Sequence, residues 1–215
     1  MSFFEDQSLI TPDTDTNSLG YSLLLESDLT TPEEANKILN SILEYTDENG
    51  KIQVWLSKER ENRLDHVVVT NAVYLAYLLG RENEVESTEE WLTKLLESEK
   101  YLEGSRYYHS PDSFLYFLGR LMKFPEAEKK LKAKLKEQLQ KRIGNTNDSL
   151  DLAMRIVLAD MLGVSNEKER QALLGIQEQN GSWPTDALYR EGTKPRYFVN
   201  QSLPTSLAMR ALSKK

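Results

Sequence analysis

The chain has 215 residues, enough for one large domain with a proper core or for two small ones. Lys and Arg total 27 against 34 Asp and Glu, a net charge of −7 that argues against a nucleic-acid or anionic-membrane surface as the main business. The absence of cysteine excludes a disulfide scaffold, a thiolate metal site and a cysteine nucleophile, and with His66 and His109 alone a His-rich zinc site is out as well.

No stretch approaches 18 apolar residues, and the N-terminus lacks a basic-then-apolar leader. The sequence therefore reads as cytoplasmic, with no integral membrane segment and no nucleic-acid partner. Residues 1–10 read as a loose N-terminal segment of a single domain, 1–215.

In chain order, an apolar helix is predicted over 18–26 (SLGYSLLLE). A polar-faced helix follows over 32–45, where Pro32 and two acids open an amphipathic stripe of Ile38, Ile42 and Tyr45. Residues 67–79 (VVVTNAVYLAYLL) form the second apolar helix, because ten residues of helical composition follow the β-branched run. Segment 87–98 is polar-faced around Trp91, Leu92, Leu95 and Leu96, and 113–122 is apolar. Segment 126–142 carries Leu131, Leu135 and Leu139 on one stripe, with Lys and Glu elsewhere. Its lysines read as a solvated face without function. An apolar helix at 149–162, a polar-faced one at 166–178 and an apolar one at 205–212 complete the series.

Each apolar helix follows a loop carrying a capping residue, at Asp13, Asp65, Asp112, Asp148 and Thr205. Outer helix, loop and inner helix thus alternate at irregular spacing. Hairpins of this kind bury their apolar helices only against one another. The fold class is all-α, an α/α barrel of helical hairpins, with a plain α-solenoid as the other arrangement.

LLGIQEQNGSWP (173–184) followed by TSLAMRAL is similar to the Gln-and-Trp motif of the terpene cyclase and prenyltransferase α/α-toroid superfamily. Gln177, Gly181 and Trp183 hold the motif positions, with Gln implied as a helix cap and Trp as its packing partner. TPDTDTNS resembles the acid motif of class II terpene cyclases, closest to the Asp-x-Asp-Thr-Thr variant of drimane-type cyclases. DENGKIQVW, RLDHVVVTNAVYLAYLLGR, YLEGSRYYHSPDSFLYFLGRL and GSWPTDALYREGTKPRYF also look like that subfamily's toroid domain. The likeness runs from about residue 10 to 212. Asn17 stands where the variant has its second Thr, and neither a phosphatase domain nor a second toroid domain accompanies the match.

The resemblance implies protonation-initiated cyclisation of a linear prenyl diphosphate, such as farnesyl diphosphate to a drimane-type bicycle that keeps its diphosphate. It assigns Asp15 as proton donor, Asp13 as the group that orients or acidifies it, and Thr16 as a hydrogen-bond partner. Such an acid needs its conjugate base stabilised, and a helix N-terminus offers that help. Read without the resemblance, the same Asp and Thr are good N-caps. The alternative reading of DTDTN as a phosphatase nucleophile motif fails, because no βαβ series follows it.

Carbocations are steadied by aromatic faces. Tyr107, Tyr108 and Phe114 lie nearest a helix entrance and are the candidate cavity wall. Arg63, Arg106, Arg190, Lys194 and Arg196 fall in entrance loops or the last insertion and are the candidate diphosphate ligands. His66 and His109 sit at entrances too, as proton acceptors or as satisfied cap histidines. No metal is held by the protein, and Mg²⁺ enters only through the substrate diphosphate. A non-catalytic toroid domain that binds an isoprenoid or a partner protein is the alternative function, and a homodimer or a separate partner domain would close an open cavity. Protein prenyl transfer is the weakest choice, since its zinc site would need a cysteine.

Overall fold

A computed structural model describes residues 11–213, so the expectation for 1–10 falls outside the described residues. The chain divides between Leu95 and Leu96 into two compact units.

In the first unit, α1 (Thr14–Glu26), α2 (Pro32–Leu43) and α3 (His66–Leu78) pack on one another. The N-cap side chain of Thr31 accepts from Glu34 N, with Pro32 beginning the helix. The buried stripe of α2 is Ala35, Leu39 and Ile42, with Ile38 half-buried at its edge. It shares Ile42 with the predicted stripe, but Ala35 and Leu39 take the places expected of Ile38 and Tyr45, which are half-buried. α3 is a helix despite its opening valines, and Val67 through Tyr77 are all buried.

α1 departs from expectation. Its buried positions are Thr14, Asn17, Ser18 and Ser22, whereas Leu23 is exposed and Leu24 and Leu25 are half-buried. The helix lies on α3 through short side chains, and the Ser18 hydroxyl turns back to the helix's own carbonyl, Ser18 Oγ to Thr14 O at 2.6 Å. α4 (Glu86–Glu97) buries Leu92 and Leu96 and crosses the division between the units.

In the second unit, α7 (Ser149–Leu162) is the central element. It packs against α5 (Pro111–Gly119), α6 (Pro125–Arg142), α8 (Glu167–Gly175) and α9 (Ser202–Leu212). Gly119 permits the α5–α7 approach, because a Cβ there would meet Leu158 Cδ1 at 2.3 Å. α6 buries Leu131, Leu135 and Leu139 as its stripe predicts.

Two predicted caps are corrected. Ser110, not Asp112, caps α5, and Asp112 sits in the first turn facing two arginines. Thr205 lies inside α9, where its hydroxyl accepts Trp183 N at 3.1 Å.

Among the described residues the structure is mostly helical, and the last insertion adds a hairpin. There β1 (Asp186–Arg190) and β2 (Tyr197–Asn200) form an antiparallel hairpin, with an irregular register between Ala187 and Tyr189. The strands are short and face no core, so they carry none of the alternation that marks a strand in sequence.

The Gln-and-Trp segment joins α8 to α9, with roles differing from those implied. Gln177 Nε2 donates to Gly181 O at 2.9 Å, closing the turn itself. The indole of buried Trp183 donates to Leu173 O at 2.8 Å, satisfying a carbonyl near the end of α8. Its ring packs with Leu152, Ala153, Ile156, Leu173 and Ala208.

Candidate functional site

The acid motif is built where an extended segment turns into α1. Thr14 N donates to Val54 O at 2.8 Å, and Leu56 N donates to Pro12 O at 2.9 Å. Asp13 and Trp55 are therefore antiparallel partners. Thr14 Oγ1 adds a bond to Gln53 O at 2.6 Å. The motif backbone is held on both sides before the helix begins.

Asp13 is the N-cap. Its Oδ1 accepts from Thr16 N at 2.7 Å and its Oδ2 from Thr16 Oγ1 at 2.9 Å. Asn17, at the position that departs from the motif, donates through Nδ2 to Asp13 O at 2.8 Å. Asp15 stands in the first turn, half-buried, and its Oδ1 accepts from Asn71 Nδ2 at 2.8 Å. Asn71 is buried in the middle of α3. The structure thus joins Asp13 to Thr16, and Asp15 to a residue that sequence reasoning did not name. A single amide in an otherwise apolar helix was the available signal.

The loop before α3 completes this corner. Asn62 brackets Trp55, accepting from Trp55 N at 2.9 Å and donating to Trp55 O at 2.7 Å. The Arg60 guanidinium lies 3.6 Å over the Trp55 ring, a cation–π contact. Arg63 is half-buried, and its Nε has no hydrogen-bond partner among the described residues. Asp65 caps α3, accepting from Val67 N and Val68 N. Burial pulls His66 below the usual histidine range, against the pull of Asp65.

The remaining candidates belong to the second unit. Arg190 works as a clamp on the loop before α5: Nη2 donates to Ser105 O at 2.6 Å, Nε to Arg106 O at 3.0 Å, and its backbone N to Tyr107 O at 2.9 Å. Arg106 itself is exposed. Tyr108 is buried, stacks on Tyr189 at 4.7 Å and donates to the Tyr189 hydroxyl at 3.0 Å. Phe114 is fully buried against Tyr101. Lys194 and Arg196 both bind Glu191, at 2.6 and 3.2 Å, so neither is a free cation. His109 meets Tyr197 edge-on, and burial lowers its pKa, opposed by Asp186 and Asp148.

The sequence comparisons cover this region. Residues 1–79 match the family model of the sesquiterpene cyclase astC-like C-terminal domain. The acid motif, Trp55 and Asn71 all lie within that match. The chain is also similar to drimenol cyclase drtB of Aspergillus calidoustus, with 29% identity over 219 residues and 98% of this chain covered. It spans 40% of the length of that relative. The chain is thus related to drimane-type terpene cyclases. Among the described residues, no helix is long and apolar enough to cross a membrane.

Proposed function

We propose that the chain carries the acid of a class II terpene cyclase, with Asp15 protonating the terminal alkene of a linear prenyl diphosphate. The observation that carries this reading is the 2.8 Å bond from Asn71 to Asp15 in the first turn of α1. The amide donor and the helix N-terminus both stabilise the carboxylate left behind when the proton departs. Asp13 sets the start of the helix and holds Thr16, so it fixes where Asp15 stands. Farnesyl diphosphate and a drimane-type bicyclic diphosphate are the substrate and product that the relationship favours. The alternation of apolar α3, α5, α7 and α9 with polar-faced α2, α4, α6 and α8 is the pattern supporting a toroid arrangement.

Among the described residues, no three His, Asp or Glu side chains gather to hold a metal. In this proposal Mg²⁺ enters as a companion of the substrate diphosphate. Arg63 and Arg106 fit diphosphate binding better than Lys194 and Arg196, which Glu191 already occupies. Arg190 is spent on backbone carbonyls and acts by holding the loop of Arg106, Tyr107 and Tyr108.

The test is incubation of the full chain with C10 to C20 prenyl diphosphates and Mg²⁺, followed by dephosphorylation and product analysis. A cyclised alcohol that disappears in Asp15→Asn is expected, and undiminished turnover in that variant overturns the assignment. The 40% coverage of the relative favours a second reading, a domain that binds an isoprenoid or a partner without catalysing alone. Saturable binding of farnesyl diphosphate with no product from any substrate would select it.

A further inference from the structure

The second unit buries a group of charges that the proposed cyclisation does not use. Arg142, at the end of α6, grips Asp112 with two bonds, Nε to Oδ1 at 2.5 Å and Nη2 to Oδ2 at 2.7 Å. Arg155 on α7 is 1% exposed and divides its guanidinium between Asp112 at 2.8 Å and Glu169 of α8 at 3.3 Å. Glu169 Oε1 also accepts from Gly144 N at 2.7 Å. The charges already balance, with two guanidiniums facing two carboxylates.

Asp151 is a third carboxyl beside them, 8% exposed in the first turn of α7. Among the described residues its carboxyl has one hydrogen-bond partner, Ser110 Oγ, which donates at 2.5 Å. That same hydroxyl accepts Asp112 N at 3.1 Å and caps α5. The charged groups around Asp151 come from every neighbouring element: Asp112 from α5, Arg142 from α6, and Arg155 and the cap residue Asp148 from α7. Glu169 of α8 reaches the group through Arg155, and Asp186 of β1 binds Leu150 N at 3.2 Å next door. His109 is the nearby histidine, and burial keeps it below its usual range. Among the described residues both guanidiniums of the group are already paired, and Arg155 acts on Asp151 only as a lesser pull toward its charged form.

We propose that Asp151 is held as a neutral carboxylic acid and, with Ser110, forms a pH-sensitive latch between the starts of α5 and α7. Burial first, and then the charge of Asp112, push the Asp151 carboxyl up to about 7. The folded value lies above the unfolded one, so the protonated latch contributes fully below the ordinary carboxylate range and is lost as pH rises through about 7. Ionisation places a charge in the buried group that the Ser110 bond, which favours the charged form, offsets only in part, so the junction is weakened. The loop leading into it, Ser105 to His109, carries Arg106, Tyr107 and Tyr108, and closes on itself through Ser105 N to Tyr108 O at 2.7 Å. That loop stays held by Arg190, so the junction loosens at Ser110 itself. The inference is independent of the cyclase reading and stands or falls on folding measurements alone.

The experiment follows thermal unfolding of the full chain between pH 5.5 and 8.5, for the natural sequence and for Asp151→Asn. The natural chain should lose about 5 °C across neutrality relative to the variant, and amide protection around Ser110, corrected for the intrinsic rise of exchange with pH, should fall in the natural chain alone. Contributions from His66 and His109 are common to both proteins and cancel. Parallel pH dependences overturn the latch. Infrared spectroscopy gives the second readout: the natural chain should show a protonated carboxyl band at pH 6 that is absent from Asp151→Asn. If that variant does not fold, exposed Asp148→Asn replaces it. Removing the like charge of Asp148 should move the midpoint of the band to lower pH, and an unmoved midpoint overturns the proposal.

Discussion

The acid motif of the first unit and the α5–α7 charge group of the second hold their carboxylates by different means. In the first, Asp13 and Asp65 receive backbone N–H groups, with a threonine hydroxyl added at Asp13, and Asp15 receives a neutral amide. In the second, Asp112 and Glu169 are tied to guanidiniums. A carboxylate tied to arginine is locked in its charged form. Burial pushes Asp112 up, yet the hydrogen bonds from Arg142 and Arg155 more than reverse this and hold it below the usual range. Neutral donors stabilise the anion without committing the group to it, so a proton can still arrive and leave. Asn71 gives Asp15 one such donor.

The largest expected effect breaks the ion-paired side. Arg155→Met leaves Asp112 and Glu169 short of a cation in a dry site and should cost about 3–5 kcal/mol, read by urea unfolding. A loss under about 1 kcal/mol would mean that water or a shifted Arg142 replaces the guanidinium.

Asn71→Leu sharpens the neutral-donor side. Removing one hydrogen bond to half-buried Asp15 should cost only about 1 kcal/mol of stability. Any cyclisation should fall at least tenfold in kcat, because the carboxylate left after proton transfer loses its amide donor. Equal small losses in stability and turnover would show that Asn71 merely packs.

The smallest effect concerns exposed pairs. Glu191→Gln frees Lys194 and Arg196 at the hairpin tip and should leave the melting midpoint unchanged. Prenyl diphosphate affinity should tighten at low salt if the freed cations reach the ligand, and stay the same if they do not.

Much of the helical order was legible in the sequence. Pro32 and its acids, the α6 leucines and the uncharged run of α3 each specify a helix through local rules that neighbours did not overrule. The caps were half legible. Asp13 and Asp65 act as caps, whereas Asp112 was recruited by arginines 30 and 43 residues further along. A residue's suitability as a cap is local, but competition for its carboxylate comes from distant residues.

By itself the sequence determined the helical class, the order of apolar and polar-faced helices, and the placement of the acid motif at a helix start. These follow from composition, periodicity and capping chemistry, all of which act over a few residues. Only the tertiary structure decided that Asn71 meets Asp15, 56 positions away, and that Glu191 occupies two of the candidate phosphate ligands. It alone brought Asp151 beside a charge group already in balance. Partnership between side chains depends on which helix faces pack together, and the periodicity of one helix carries no record of the other.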